Sequence, residues 1–209
     1  MKYKRILSIF LIAGIVVFMS SCGDRKGRVS SPPAESVTWV ITAGENVFRN
    51  LITELSHTLQ QAIKNEGIAG AIDMCSVEAL PLTQKIADAN DQITQIKRTS
   101  YQYRNRKNKP DKYEKDALDY FRKFVDTNVS LPSYYVQKIE QKSGDFYRYY
   151  KPLTMMPLCL NCHGMVENIS PDVMESLKKK YPKDKAIGYS LNDFRGVVSI
   201  SLSESIQGY

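Results

Sequence analysis

Cys159, Cys162 and His163 stand in the order C-x-x-C-H, and no other feature restricts the fold and chemistry of this chain so narrowly. Two thiols three residues apart share one face of a helical turn, and the next residue projects its imidazole beside them. That spacing suits two thioether bonds along one edge of a haem with the histidine on the iron, the attachment signature of a c-type haem. With 4 Cys and 2 His in 209 residues, too few remain to complete a Cys/His zinc cage beside the motif. No thioredoxin-like βαβ pattern surrounds it either, so a C-x-x-C redox pair is disfavoured. The sequence predicts one covalent haem c, attached at Cys159 and Cys162 and ligated by His163.

The amino-terminal pattern places that haem outside the cytoplasm. Lys2, Lys4 and Arg5 precede an apolar run from Ile6 to Met19, followed by Ser20, Ser21 and Cys22. A basic start, a short apolar stretch and small residues before a cysteine read as a lipoprotein-type signal over residues 1–21, with Cys22 as the lipidated residue. Residues 22–36, with Pro32, Pro33 and several Ser and Gly, read as a tether. Residues 37–209 are long enough for one domain with its own core. The formal charge of +7 shrinks once the basic leader is removed, and a mild excess in an exported protein argues against nucleic acid as a partner. The partners expected are the haem, the membrane through the lipid, and a signalling or redox protein.

Helices dominate the first half and strands the second. Phe48, Leu51, Ile52, Leu55, Leu59, Ala62 and Ile63 recur at helical spacing, which predicts a long amphipathic helix from Val37 to Asn65 with a stop at Gly67. His57 lies opposite that stripe and reads as a solvated surface histidine. Ile68, Ala71, Ile72, Cys75 and Ala79 form a second stripe, placing Cys75 on a buried face. A short helix is expected at 82–89 and a strand at 93–98. Asp111 and Glu114 make a capping box for a helix at 111–127. The runs 134–141 and 145–153 flank a turn at Ser143–Gly144 and read as a hairpin that delivers the haem motif. Ser170 and Pro171 start a helix reaching Tyr181, and 196–203 alternates as a closing strand. The order implies α+β, with a small antiparallel sheet.

The segment from Lys97 to Glu114 is rich in Arg, Lys and Asn. Haem propionates need such donors, with Arg98, Arg104 and Asn105 the candidates, although a solvated basic loop has the same composition. Cys75 is an unpaired thiol in an oxidising compartment. Met155 and Met156, close to the motif, are chemically suitable as second iron ligands.

Several stretches together resemble the bacterial haem-binding sensory-domain family over nearly the whole mature chain. They are Cys75 after a helical stretch, R-T-S at Arg98–Ser100, and R-N-x-x-N-x-P-D-x-x-E from Arg104 to Glu114. To these add C-x-x-C-H-G from Cys159, the residues Tyr181, Pro182, Asp184, Ala186, Gly188 and Tyr189, and the strand at Gly196. The resemblance implies a PAS-like domain flanked by helices, with a long amino-terminal helix, carrying a single haem c. It also implies His163 and the thiolate of Cys75 as axial ligands. Cys75, one of the two methionines, or an open position therefore remain in play on the second side of the iron.

Nothing in the chain forms a nucleophile and base pair, so an enzyme is not expected. Two functions compete. One is an extracytoplasmic redox or gas sensor that signals through a separate partner, since no output domain follows in this sequence. The other is an electron-transfer cytochrome tethered at the membrane.

Overall fold

The computed structural model describes residues 27–203, so the leader at 1–21 and Cys22 lie outside the described residues. The longest helix, α1, spans Ala34–Val77 and is broken at Gly67, where φ is 74° and ψ 178°. A side chain at that φ would be strained, and this is where the sequence placed its stop. Val40, Val47, Leu51 and Leu55 form the buried seam of the first part. The helix begins earlier than its apolar stripe suggested, and Arg28–Ser30 before it form a short edge strand, β1. The stretch read as a tether is thus structured over its second half: β1 pairs antiparallel with residues 138–140, a partner too distant in sequence to be read locally.

The remaining elements are α2 (Ala79–Asp88), β2 (Ile93–Thr99), α3 (Lys112–Asp126), β3 (Tyr135–Glu140), β4 (Phe146–Thr154), α4 (Leu160–His163), α5 (Pro171–Lys180) and β5 (Phe194–Leu202). The strands form one antiparallel sheet in the order β1-β3-β4-β5-β2. This is the α+β architecture expected, with helices flanking the sheet. The predicted capping box is present: Asp111 accepts from the Glu114 amide and Glu114 accepts from the Asp111 amide, both at 2.9 Å. Ser170 occupies the α5 N-cap and Pro171 follows, without a side-chain cap bond.

Alternation along the strands divides the core into two layers. Tyr147 and Tyr149 of β4 and Val198, Ile200 and Leu202 of β5 pack under α1 and α2. Tyr150 and Val197 point the other way, against Ala117, Leu118 and Phe121 of α3. Gly44 permits the close approach of α1, because a Cβ there would intrude on the Tyr149 ring. Beyond Gly67, α1 leaves the sheet and docks on α5, where Ile72 packs with Ile169, Val173 and Leu177. This detached part of the helix carries Cys75.

Candidate functional site

A cavity of about 310 Å³ opens between the sheet and the two parts of α1, within the roughly 300–1,000 Å³ usual for small-molecule and cofactor sites. Leu55 and Leu59 line it before the kink, Met74 and Cys75 after it, and Leu153, Met155, Cys159 and His163 close it from the β4 side. The local sequence explains how these residues meet. β2 alternates, so Lys97 turns to the α3 face, where it bonds Glu114 at 2.7 Å, while Arg98 follows Ile96 toward α1. β4 ends at Thr154, and a single turn at Pro157–Cys159 leads into α4, which carries the motif. Gly196 lets β5 lie against the end of β2. Its φ is 142°, and a Cβ would meet the Thr99 carbonyl oxygen.

His163 is held by its Nδ1, which lies 2.6 Å from the Ala186 carbonyl oxygen. Because a carbonyl only accepts, Nδ1 carries the hydrogen and Nε2 keeps its lone pair for a metal. Burial, reinforced by Arg104 and Arg195, holds this imidazole well below the usual histidine range, so the ring stays neutral. The segment from Ala186 is stitched to the motif by two further bonds, Gly188 N to Gly164 O at 2.8 Å and Tyr189 N to His163 O at 3.0 Å.

Arg104 braces the same joint. Its Nε donates to Asp184 Oδ2 at 2.9 Å, and its Nη2 donates to the carbonyls of Cys162 at 2.5 Å and Ala186 at 3.2 Å. Asp184 Oδ1 accepts from the Ala186 amide at 2.8 Å. Arg104 thus orients the histidine's acceptor, and Asp184 orients Arg104, in the way outer partners fix a metal-binding histidine. Asp184→Asn is expected to lower stability by about 1–3 kcal/mol, since the pair is only 13% and 11% exposed. The expected readout is a lower urea midpoint together with an altered environment for His163 in its NMR resonances. An unchanged imidazole would show that the brace does not reach the histidine.

Arg98 lines the cavity, and its side chain has no ion pair or hydrogen bond among the described residues. Burial pulls its pKa down, opposed by Cys75 and Tyr181. A desolvated, unpaired guanidinium calls for an anion. Arg195, which sequence reasoning passed over, lines the same wall, with its guanidinium 5.2 Å from the centre of the Tyr189 ring.

The residues singled out in sequence therefore largely converge: Cys159, His163, Cys75, Arg98, Arg104 and Asn105 share one cavity. Cys162 is half-buried against the Ile72–Val173 cluster. Cys75 departs from expectation. It does not enter the core; it is exposed toward the cavity, while Ala71, Ile72 and Met74 take the buried positions. The protein crowding that opening still pushes the thiol pKa up, against the pull of Arg98 and Arg104. Of the two methionines, Met155 is 1% exposed and lines the cavity, whereas Met156 is 60% exposed and points away. His57 lies exposed on α1, as its position in the stripe predicted.

Among the described residues no group of three or more His, Cys, Asp or Glu is arranged to hold an ion. Apolar walls, a neutral imidazole at His163, the thiols of Cys75 and Cys159 and the unpaired side chain of Arg98 are a donor set that fits a flat, acidic macrocycle carrying its own metal.

Fold and site define an α+β domain whose cavity joins a C-x-x-C-H turn to a kinked amino-terminal helix. The chain belongs to the Tll0287-like family, whose model, described as Tll0287, matches residues 34–203. It is similar in fold to the crystal structure of the cyanobacterial heme-protein Tll0287, with a TM-score of 0.52 and 22% identity over 85% of this chain and 100% of that one. A comparison with curated proteins gives no match.

Proposed function

We propose that this protein is an extracytoplasmic, lipid-anchored cytochrome with one haem c, and that it works as a redox or gas sensor rather than as an enzyme. One observation carries the reading: Cys159, His163 and Cys75 face a single cavity whose wall holds the unpaired Arg98. Membership in the Tll0287-like family and likeness in fold to a structure described as the heme-protein Tll0287 support it. Cys159 and Cys162 would attach the haem covalently, and His163 and Cys75 would hold its iron. Arg98 is the donor for a propionate, and Asn105 lines the same mouth. Bound there, the haem supplies a one-electron iron couple and, when one axial position opens, a site for a small diatomic ligand.

Cys75 is the ligand built to leave. Held to iron, its thiolate would be favoured by the ferric state and would lose part of that advantage on one-electron reduction by the redox partner, and the exposed side chain would then take its proton from water. Its helical segment is set off from the sheet-bound part by the kink at Gly67 and rests on α5, so its release has a mechanical outlet. Exposing ferrous protein to carbon monoxide is the test. A shifted visible spectrum is expected, and a spectrum indifferent to the gas would remove ligand release from the account.

The alternative, a membrane-tethered electron carrier, is favoured by a different feature. Met156, Leu158, Met165 and Val166 leave apolar surface exposed on both sides of the motif, as a docking face for a redox protein would. A potential matched to a respiratory partner, with an iron closed to gas, would favour the carrier.

A further inference from the structure

A second groove, of about 400 Å³, lies behind Cys75. Ser76, the next residue on α1, lines it, and it shares Arg104, Asn105 and Tyr181 with the cavity described above. Its other walls are Arg106, Lys180, Pro182 and Lys183. The cations outnumber the groups that neutralise them. Arg104 is paired with Asp184, and Lys180 with Asp73 at 2.8 Å. Helices α1 and α5 both end at this groove, and their terminal carbonyls favour a nearby cation, a need that Lys180 in the last turn of α5 meets. Arg106 and Lys183 lie beyond both helices and have no ion pair or side-chain hydrogen bond among the described residues. Arg106 is set in place by a short turn at Arg106–Asn108, which Asn105 caps by accepting from the Lys107 amide at 2.9 Å.

We propose that this groove binds a phosphate group, and that its occupancy is felt at the Cys75–His163 cavity through Arg104. A fork-shaped guanidinium and an ammonium converging on a concave wall are the donor set for a doubly charged oxyanion. Arg104 belongs to both chambers, and it also holds the carbonyls of Cys162 and Ala186, the latter the acceptor for His163. An anion beside Arg104 lowers the positive potential at the cavity. Less positive surroundings favour the more highly charged, ferric iron, so phosphate lowers the reduction potential, and by linkage the oxidised protein binds phosphate more tightly. This second half rests on the haem reading; the binding itself does not.

Calorimetric titration of the mature protein with inorganic phosphate, beside the double variant Arg106→Ala/Lys183→Ala, tests the groove. Saturable binding that weakens with added salt is expected, falling by about tenfold or more in the double variant. A parallel arm titrates the same two proteins with dihexanoyl phosphatidylglycerol below its micellar concentration, where an amino-terminal lipid finds no bilayer to enter: saturable binding lost in the double variant assigns the phosphate to a lipid headgroup, whereas binding of inorganic phosphate alone assigns it to a free ion. Absence of binding in both arms, or binding equal in the double variant, overturns the proposal. A midpoint potential that falls with phosphate in the parent and not in the double variant supports the coupling, and an unmoved potential in phosphate-saturated protein refutes it. Colourless protein that still binds phosphate would sink the haem reading and leave the groove standing.

Discussion

In ferric protein carrying Cys75→Ser, the low-spin thiolate signature is expected to vanish and the midpoint potential to rise by more than about 59 mV, a tenfold change in a one-electron equilibrium. The hydroxyl of serine is a poor anionic donor, so the variant loses the ligand that favours ferric iron. The size of the shift is attributable to ligation because little else changes. Cys75 is open to the cavity and its side chain has no hydrogen bond among the described residues, so apart from the lost bond to iron its replacement should alter stability by no more than about 0.5 kcal/mol. Met155→Leu is the companion measurement. Met155 is the one methionine of the pair placed to compete, and its variant should keep the thiolate spectrum. If instead Met155→Leu abolishes the low-spin state while Cys75→Ser leaves it untouched, the axial ligand is the thioether.

His163→Gly is expected to convert the low-spin spectrum to a high-spin one while the pigment stays bonded through its two sulfurs. Imidazole added to the solution should restore the low-spin form, because the small residue leaves a ring-sized space. The same change removes the bond to the Ala186 carbonyl, at a cost of about 1 kcal/mol, and the void adds to that. Imidazole rescue distinguishes a ligand from a structural prop. A variant that refolds, stays pigmented and ignores imidazole would place the iron on another residue.

Local patterns in the sequence were read well, and long-range partners were not. The cap at Asp111, the stop at Gly67 and the hairpin of β3 and β4 each depend on residues a few positions apart, and each stands in the structure. β1 is the opposite case. Three residues with no apolar alternation become a strand only because Ser30 faces Lys138 across the sheet. Cys75 shows a subtler limit. Helical periodicity marks the side turned toward protein, and a cavity wall has the same apolar neighbours as a core, so the pattern could not separate the two. Met155 and Met156 alternate in an extended stretch, which dictates that they face opposite ways without saying which one faces in. Arg104 was read as a propionate donor from its company in a basic segment. Its partners, Asp184 and the carbonyls of Cys162 and Ala186, sit in loops some distance along the chain, and only the fold reveals that much of its bonding capacity goes to the protein. Arg195, the other arginine of the wall, starts a strand with no local sign of its role.

The account depends most on a haem joined through two sulfurs to the turn ahead of His163. Mature protein should be extracted with acid acetone and its intact mass then measured, with fragmentation to locate any added mass. Retained colour and the added mass of one haem on the peptide bearing Cys159 and Cys162 is the predicted result. A colourless polypeptide of unmodified mass at those two cysteines would contradict it.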